Sequence, residues 1–211
     1  MNTRFEGERE ALRVRLAAAC REVQQQLADA VRALERNDAQ LASDVHREET
    51  RIEGELDRLE RDAVNLAGRS ANADDATQFA IAIVRMSTSL RHVDRTADQL
   101  GSSAKSMASA NLPEDLAGQL HQMAELALLQ FTAAQEALAA GDQSLAERTL
   151  KRDVELDSWY DLLLKECVDD VAERGEVPSD LAAMLSTAKL LERISGYSMA
   201  LREEVALLVS A

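Results

Sequence analysis

Glycine, proline and aromatic residues are scarce in this chain of 211 residues, which has 8 glycines, 2 prolines and 3% aromatic residues. All-β and α/β proteins need turn-forming residues at short, regular intervals, so this scarcity disfavours both classes. The abundant alanine, leucine, glutamate and arginine are instead typical of long helices. A hydrophobic content of 46% is too high for a disordered acidic tail. The composition therefore predicts an all-α protein.

Positive charge is also in short supply, because 24 Lys and Arg face 38 Asp and Glu and leave a net charge of −14. Such a chain repels phosphate backbones and anionic headgroups, so we expect no nucleic acid and no lipid as the main partner. No apolar run is long enough for a membrane span, and the charged start MNTRFEGERE does not resemble a signal peptide. Cys20 and Cys167 lack metal-type spacing and are expected to be free, buried thiols. These absences predict a cytoplasmic protein without direct membrane insertion.

Turn residues divide the chain into six long segments. The breaks fall at residues 37–38, 68–72, 111–113, 141–142 and 175–178. Asp38 and Asp142 are predicted helix N-caps, and Pro113 and Pro178 suit the first turn of a helix. Between the breaks, apolar residues recur in alternating steps of three and four, which is typical of antiparallel helical bundles. In the first segment these residues are Leu12, Leu16, Cys20, Val23, Leu27, Val31 and Leu34.

An internal repeat becomes visible when the chain is shifted by 104 residues. Residues 33–59 then align with residues 137–163, with the break at Asp38 falling on Asp142 and several carboxylates coinciding. Two unrelated amphipathic helices would share apolar positions, but not the break and the acidic positions as well. We therefore predict two tandem antiparallel three-helix bundles, residues 1–108 and 109–211, related by duplication. The same breaks disfavour one long coiled coil.

Acidic residues interrupt the apolar stripes of the second and fifth helices. Glu49 and Glu53 stand four residues apart in the second helix, as do Asp153 and Asp157 in the fifth. Carboxylates at this spacing share one helix face and repel each other unless a cation or a proton lies between them. Hard divalent or ferric ions accept such oxygen pairs. The alternative is a solvated surface on which nearby arginines neutralise the acids.

Enzyme signatures are missing from the sequence. A ferritin-like di-iron site needs a glutamate three residues before each ligating histidine. Serine or glycine stands there before each of His46, His92 and His121. Neither a serine or cysteine triad pattern nor a glycine-rich phosphate loop is present. We therefore expect a protein that is not an enzyme, with its three histidines at surface or edge positions.

Several segments resemble the PhoU family, the cytoplasmic regulators of phosphate uptake. The resemblance rests on the opening MNTRFEGEREAL, on the junctions ALERNDAQLA and ALAAGDQSLA, and above all on the C-terminal LERISGYSMALREEVALLV. The segment SLRHVDRTADQL is similar to a degenerate first copy of this last element. The likeness covers nearly the whole chain and implies the same duplicated three-helix organisation.

The resemblance also implies surface metal clusters, which this family holds with Glu/Asp-x-x-x-Asp motifs. Glu49 and Glu53 match the motif in the second helix, and Asp153 and Asp157 match it in the fifth. Glu192 matches the first acid of a Glu-Arg-Ile-Gly-Asp element in the last helix. The implied ligand is a divalent metal or iron, and the second repeat retains three of its four acids.

The third helix of each repeat departs from this pattern. In the first repeat, Arg91 and Arg95 occupy the expected acidic positions and are predicted to form salt bridges instead of a metal site. Asp94 and Asp98 would substitute only if that helix were rotated. In the second repeat, Gly196 replaces the last acid, which indicates either close helix packing or the simple loss of a ligand. We therefore expect the first site to be lost or altered.

The function implied by the resemblance is regulation by binding. Such a protein restrains the phosphate ABC transporter and a partner sensor histidine kinase by contacting the transporter's ATPase subunit and the kinase, and the likeness suggests a homodimer. Two alternatives stay open: a metal-binding helical bundle without a phosphate role, and an accessory regulator of a different transporter. Tyr160 is expected in the core, whereas an exposed Trp159 would be an interface anchor.

Overall fold

A computed structural model of the chain describes residues 2–36, 38–70, 73–107, 110, 112–142, 153–175 and 178–210. Over these ranges all regular structure is helical, which confirms the predicted all-α fold. The helices are α1 (Asn2–Arg36), α2 (Ala39–Gly68), α3 (Ala73–Met107), α4 (Glu114–Ala140), α5 (Asp153–Arg174) and α6 (Ser179–Ser210). Within the described ranges, no helix combines the length and apolarity needed to cross a membrane. The segment that Asp142 is predicted to cap lies outside the described residues.

The helix ends follow the turn residues of the sequence. Asp38 caps α2, because its carboxylate accepts hydrogen bonds of 3.0 Å from two backbone N–H groups of the first turn. The sequence predicts Pro113 and Pro178 inside the first turns, but each lies one residue before its helix and its carbonyl accepts the first helical hydrogen bond. Proline is tolerated at this position because the N–H there has no partner in the helix. Gly141 ends α4 with a φ of 61°, a left-handed conformation that favours glycine.

The apolar stripes form one continuous core. The predicted stripe residues of α1 are all buried, and Phe79 of α3 and Phe131 of α4 are among the largest fully buried side chains. Burial of each such side chain contributes about 1.5–3 kcal/mol, so the stripes fix which face of each helix points inward. Cys20 and Cys167 are both buried and form no disulfide bond, as predicted. Burial raises the pKa of the Cys20 thiol.

Two groups of three helices pack against each other through equivalent helices. The first group is α1, α2 and α3, and the second is α4, α5 and α6; α3 packs on α6, and α1 packs on α4. The α3–α6 pair is antiparallel, with Arg85 Nε 2.7 Å from Glu204 Oε1 and the rings of His92 and Tyr197 stacked at 4.8 Å between centroids. Such pairing is expected when two copies of one unit face each other across an approximate twofold axis. The boundaries 1–108 and 109–211 stay a prediction.

Candidate functional site

The candidate site of the first repeat lies on the outer face formed by α2 and α3. Arg95 Nη2 donates to Glu53 Oε1 over 2.5 Å. Arg91 donates from Nη2 to Asp57 Oδ1 over 2.9 Å and from Nη1 to Glu60 Oε1 over 3.1 Å. The Arg91 Nε atom also lies 4.0 Å from Glu53 Oε1. One guanidinium on α3 therefore bridges three carboxylates on α2.

Arg91 is the better enclosed of the two arginines, since 19% of its side chain is exposed compared with 52% for Arg95. Exposed ion pairs contribute about 0–1 kcal/mol, and hydrogen bonds to charged groups that are shielded from water contribute more. Arg91 is thus the main cation that holds the α2 carboxylates against α3. The expected salt bridge to Glu53 is present in the structure, whereas the side chain of Glu49 lies outside the described residues.

The equivalent face of the second repeat, formed by α5 and α6, is organised around Lys189. The Lys189 ammonium pairs with Glu192 one turn further along α6 and lies 4.9 Å from the ring centroid of Tyr160 on α5. The hydrogen bond to Glu192 raises the pKa of Lys189; burial opposes this rise, and the charge of Asp157 adds to it. Tyr160 was expected in the core; it packs against the core but is only partly buried, and its ring faces Lys189. The side chain of Asp153 lies outside the described residues.

In the first repeat, basic residues occupy the place where the outer face would hold a metal ion. A hard cation needs several carboxylate oxygens directed at one point. In the first repeat, Arg91 and Arg95 donate hydrogen bonds to those oxygens, so the acids described there do not fit a metal ion. Among the side chains that the structure describes, no group of three or more His, Cys, Asp or Glu could hold one. A metal ion bound by Asp153, Asp157 and Glu192 in the second repeat stays a prediction.

Predictions were also made for three residues near these faces, Asp94, Asp98 and Gly196, and the structure shows where each one lies. Asp94 is fully buried, and Asp98 lies 2.9 Å from Nδ1 of His46, so α3 is not rotated to bring this acid pair to the outer face. Gly196 is exposed, and a Cβ atom added there would have no neighbour within 4 Å among the residues that the structure describes. Close helix packing therefore does not explain this glycine, and that prediction is wrong. The loss of a ligand acid is the alternative that the sequence left open.

His92 and His121 make contacts between helices that the sequence did not reveal. All three histidines are exposed, as expected. His121 of α4 has its Nδ1 atom 3.3 Å from a carboxylate oxygen of Glu35 on α1, and His92 of α3 stacks on Tyr197 of α6. Both contacts join the two groups of helices. No local sequence pattern identifies them, because each partner belongs to a helix distant in the sequence.

Trp159 is not an exposed anchor. Its side chain is partly buried and packs against the hydrophobic core. Of the two aromatic residues in α5, Tyr160 is therefore the one in direct contact with a charged group of the candidate site.

A family model and two curated proteins match this chain over most of its length. The model described as the PhoU domain matches residues 16–107 and again residues 120–205. A phosphate-specific transport system accessory protein PhoU homolog from Rhizobium meliloti is 27% identical over 183 residues, which is 86% of this chain and 77% of that protein. A homolog of the same description from Burkholderia sp is 24% identical over 206 residues, or 96% of this chain and 87% of that protein.

Two solved structures share the fold. The crystal structure of PhoU from Pseudomonas aeruginosa has a TM-score of 0.89 and 23% identity, over 98% of this chain and 99% of that chain. The crystal structure of the phosphate transport system regulatory protein PhoU from Streptococcus pneumoniae has a TM-score of 0.84 and 20% identity, over 97% of this chain and 96% of that chain. These similarities extend over the whole six-helix arrangement.

Proposed function

Because the chain belongs to the PhoU family, we propose that it is an accessory regulator of phosphate transport. When phosphate is plentiful, it restrains high-affinity uptake by the phosphate ABC transporter and keeps a partner sensor histidine kinase in its inactive signalling state. The observation that carries this proposal is the double match of the PhoU family model, which covers most of the chain. The protein acts by binding and not by catalysis.

The proposed partners are the ATPase subunit of the transporter and the cytoplasmic region of the kinase. Helices of 22 to 35 residues offer long continuous faces, and such faces suit partner helices. The net charge of −14 favours basic patches on the partner and speeds association, an effect that added salt weakens. We place the protein in the cytoplasm, where both partner regions lie, and propose that it works as a homodimer.

A deletion strain tests the regulatory function. Without the gene, we expect phosphate-starvation genes and phosphate uptake to stay active in phosphate-rich medium, and a plasmid copy to restore their repression. The measurements are a reporter for a phosphate-starvation promoter and the rate of labelled phosphate uptake. Normal repression of both in the deletion strain would remove the proposal. Co-purification with the separately expressed ATPase subunit and kinase region then tests the partners.

Metal binding in the second repeat needs its own test. A bound ion would have to compete with Lys189 for Glu192 and would draw on Asp153 and Asp157. Elemental analysis of protein purified without chelator, beside the double variant Asp153→Ala, Asp157→Ala, measures this directly. A stoichiometric metal that disappears in the double variant supports a metal-binding bundle, and equal trace content in both proteins argues against one.

A further inference from the structure

The two repeats are joined by the chain at one end of α3 and by side-chain contacts nearer the other end. The chain passes from α3, which ends at Met107, to α4, which begins at Glu114. Arg85 lies about 33 Å along α3 from Met107, and its Nε atom lies 2.7 Å from Oε1 of Glu204 on α6. This ion pair therefore holds α3 to α6 far from the covalent connection between the repeats.

The two partners of this ion pair differ in their contact with solvent. The side chain of Glu204 is 5% exposed, whereas 60% of the Arg85 side chain is exposed. The second carboxylate oxygen of Glu204, Oε2, is buried and has no hydrogen-bond partner among the described residues. A carboxylate loses its hydration on burial, and an oxygen without a donor does not recover that cost. The pair thus adds little net stability to the junction, while the carboxylate depends on a single cation.

Desolvation outweighs the attraction of Arg85 at this position. Burial raises the pKa of Glu204; Arg85 opposes the rise, and Glu203, its neighbour on α6, adds to it. Among the described residues of α4 and α5, which also pack on α6, no charge contributes. From α1, Arg13 donates to the backbone oxygen of Leu208 over 2.8 Å, one turn further along α6. The protonated carboxyl group therefore favours the packed junction, and this contribution is lost as the pH rises through the raised pKa.

The ion pair is not repeated at the equivalent positions of the junction. Aligning α3 with α6 by a shift of 101 residues pairs Arg85 with Ser186, and Ser103 with Glu204. The positions that correspond to the ion pair across the approximate twofold axis are thus two serines, nearer the chain connection. A buried carboxylate and its cation therefore belong only to the half of the α3–α6 junction that is remote from the connection.

We propose that Arg85 and Glu204 form a latch between the two repeats, at which α3 and α6 part while each repeat stays folded. As long as the ion pair is intact, the carboxylate is held in the junction by its cation. When the pair breaks, the carboxylate returns to water, and its hydration offsets part of the cost of separating the helices. The latch is a property of this chain alone and does not depend on the proposed role in phosphate transport.

A thiol introduced by Ser89→Cys reports the opening of the junction. Ser89 is buried and lies one turn from both Arg85 and His92, which contact α6, so it lies on the face of α3 that packs on α6. Serine and cysteine are similar in size, so the substitution disturbs the packing little. The buried Cys20 is the internal control, because it becomes reactive only when the core of the first repeat unfolds. Mass spectrometry of labelled peptides measures the two thiols separately.

The assay is the rate of alkylation by iodoacetamide in the full-length Ser89→Cys protein at neutral pH. Arg85→Gln leaves the buried carboxylate without its cation, so we expect the rate to rise about tenfold. Glu204→Gln removes the buried charge and should lower the rate about threefold. The matched control is Arg95→Gln on the same helix, because Arg95 is 52% exposed and its ion pair with Glu53 lies within the first repeat. This control should change the rate less than about twofold.

A double variant distinguishes a latch from a general weakening of α3. Once Glu204→Gln has removed the carboxylate, adding Arg85→Gln should change the rate less than about twofold, because the cation no longer has a charge to hold. The proposal is overturned if Arg85→Gln and Arg95→Gln raise the rate equally, if Glu204→Gln raises it, or if the effect of Arg85→Gln persists beside Glu204→Gln. It is also overturned if the introduced thiol reacts only together with Cys20, since the repeats then part only when the protein unfolds.

Discussion

Replacing Arg91 with methionine tests the ion-pair face of the first repeat most sharply. The variant keeps an unbranched side chain of similar length but removes the cation that Asp57 and Glu60 share. The carboxylate of Glu53 then keeps only its contact with the more exposed Arg95. Asp57 and Glu60 would lose their ion pairs with α3 and repel each other.

The expected loss of stability follows from the two hydrogen bonds. Because both carboxylates remain in contact with solvent, each hydrogen bond from Arg91 contributes about 1 kcal/mol and not the larger value of a fully buried pair. The Arg91→Met variant should therefore lose about 2 kcal/mol of unfolding free energy. For a protein of this size such a loss corresponds to a decrease in Tm of roughly 4–8 °C.

Thermal unfolding followed by circular dichroism, with and without Mn²⁺, provides the assay. We expect Mn²⁺ to raise the Tm of Arg91→Met by more than it raises the Tm of the wild type, because the variant's carboxylates lack the Arg91 cation. The control is Arg47→Met, because Arg47 is 69% exposed and its ion pair among the described residues is with Asp44, one turn away. The reasoning is refuted if Arg91→Met has the same Tm as the wild type, or if Arg47→Met loses as much stability as Arg91→Met.

Three further predictions follow from burial and open space. Gly196→Ala should raise Tm by roughly 2–4 °C, since alanine is worth about 1 kcal/mol over glycine inside a helix and no described residue lies within 4 Å of the added Cβ atom; a lower Tm would show that the added methyl group meets a neighbour. Burial raises the pKa of Glu204 above its ordinary value of 4.5, despite the neighbouring Arg85. The protonated carboxyl group therefore stabilises the folded state, and this contribution is lost as the pH rises above about 4.5. The Tm of Glu204→Gln should therefore rise relative to the Tm of the wild type between pH 4 and pH 7. A difference in Tm that does not change with pH would refute this. Cys20 should react with a thiol reagent only after unfolding, whereas rapid labelling of the native protein would show that its site opens.

The helices could be predicted from the sequence because the forces that form them act over short distances along the chain. An apolar residue every three or four positions is enough to decide which face of α1 is buried, and Leu16 and Val23 are fully buried in the structure. Asp38 needs only the backbone of the next turn to act as a cap. The resemblance to the PhoU family implied that Arg91 and Arg95 take the places of acids facing Glu49 and Glu53, and the predicted ion pair with Glu53 is present.

Only the tertiary structure decided which side chains from distant helices lie together. The rotation of α3 that buries Asp94 and leaves Asp98 beside His46 is set by packing against three neighbouring helices. The open surface around Gly196 and the placement of Lys189 against Tyr160 depend in the same way on how α5 and α6 sit against each other. Such arrangements depend on the packing of the whole core, because a small rotation or shift of one helix changes the contacts of every residue along it. No single stretch of the sequence determines that rotation or shift.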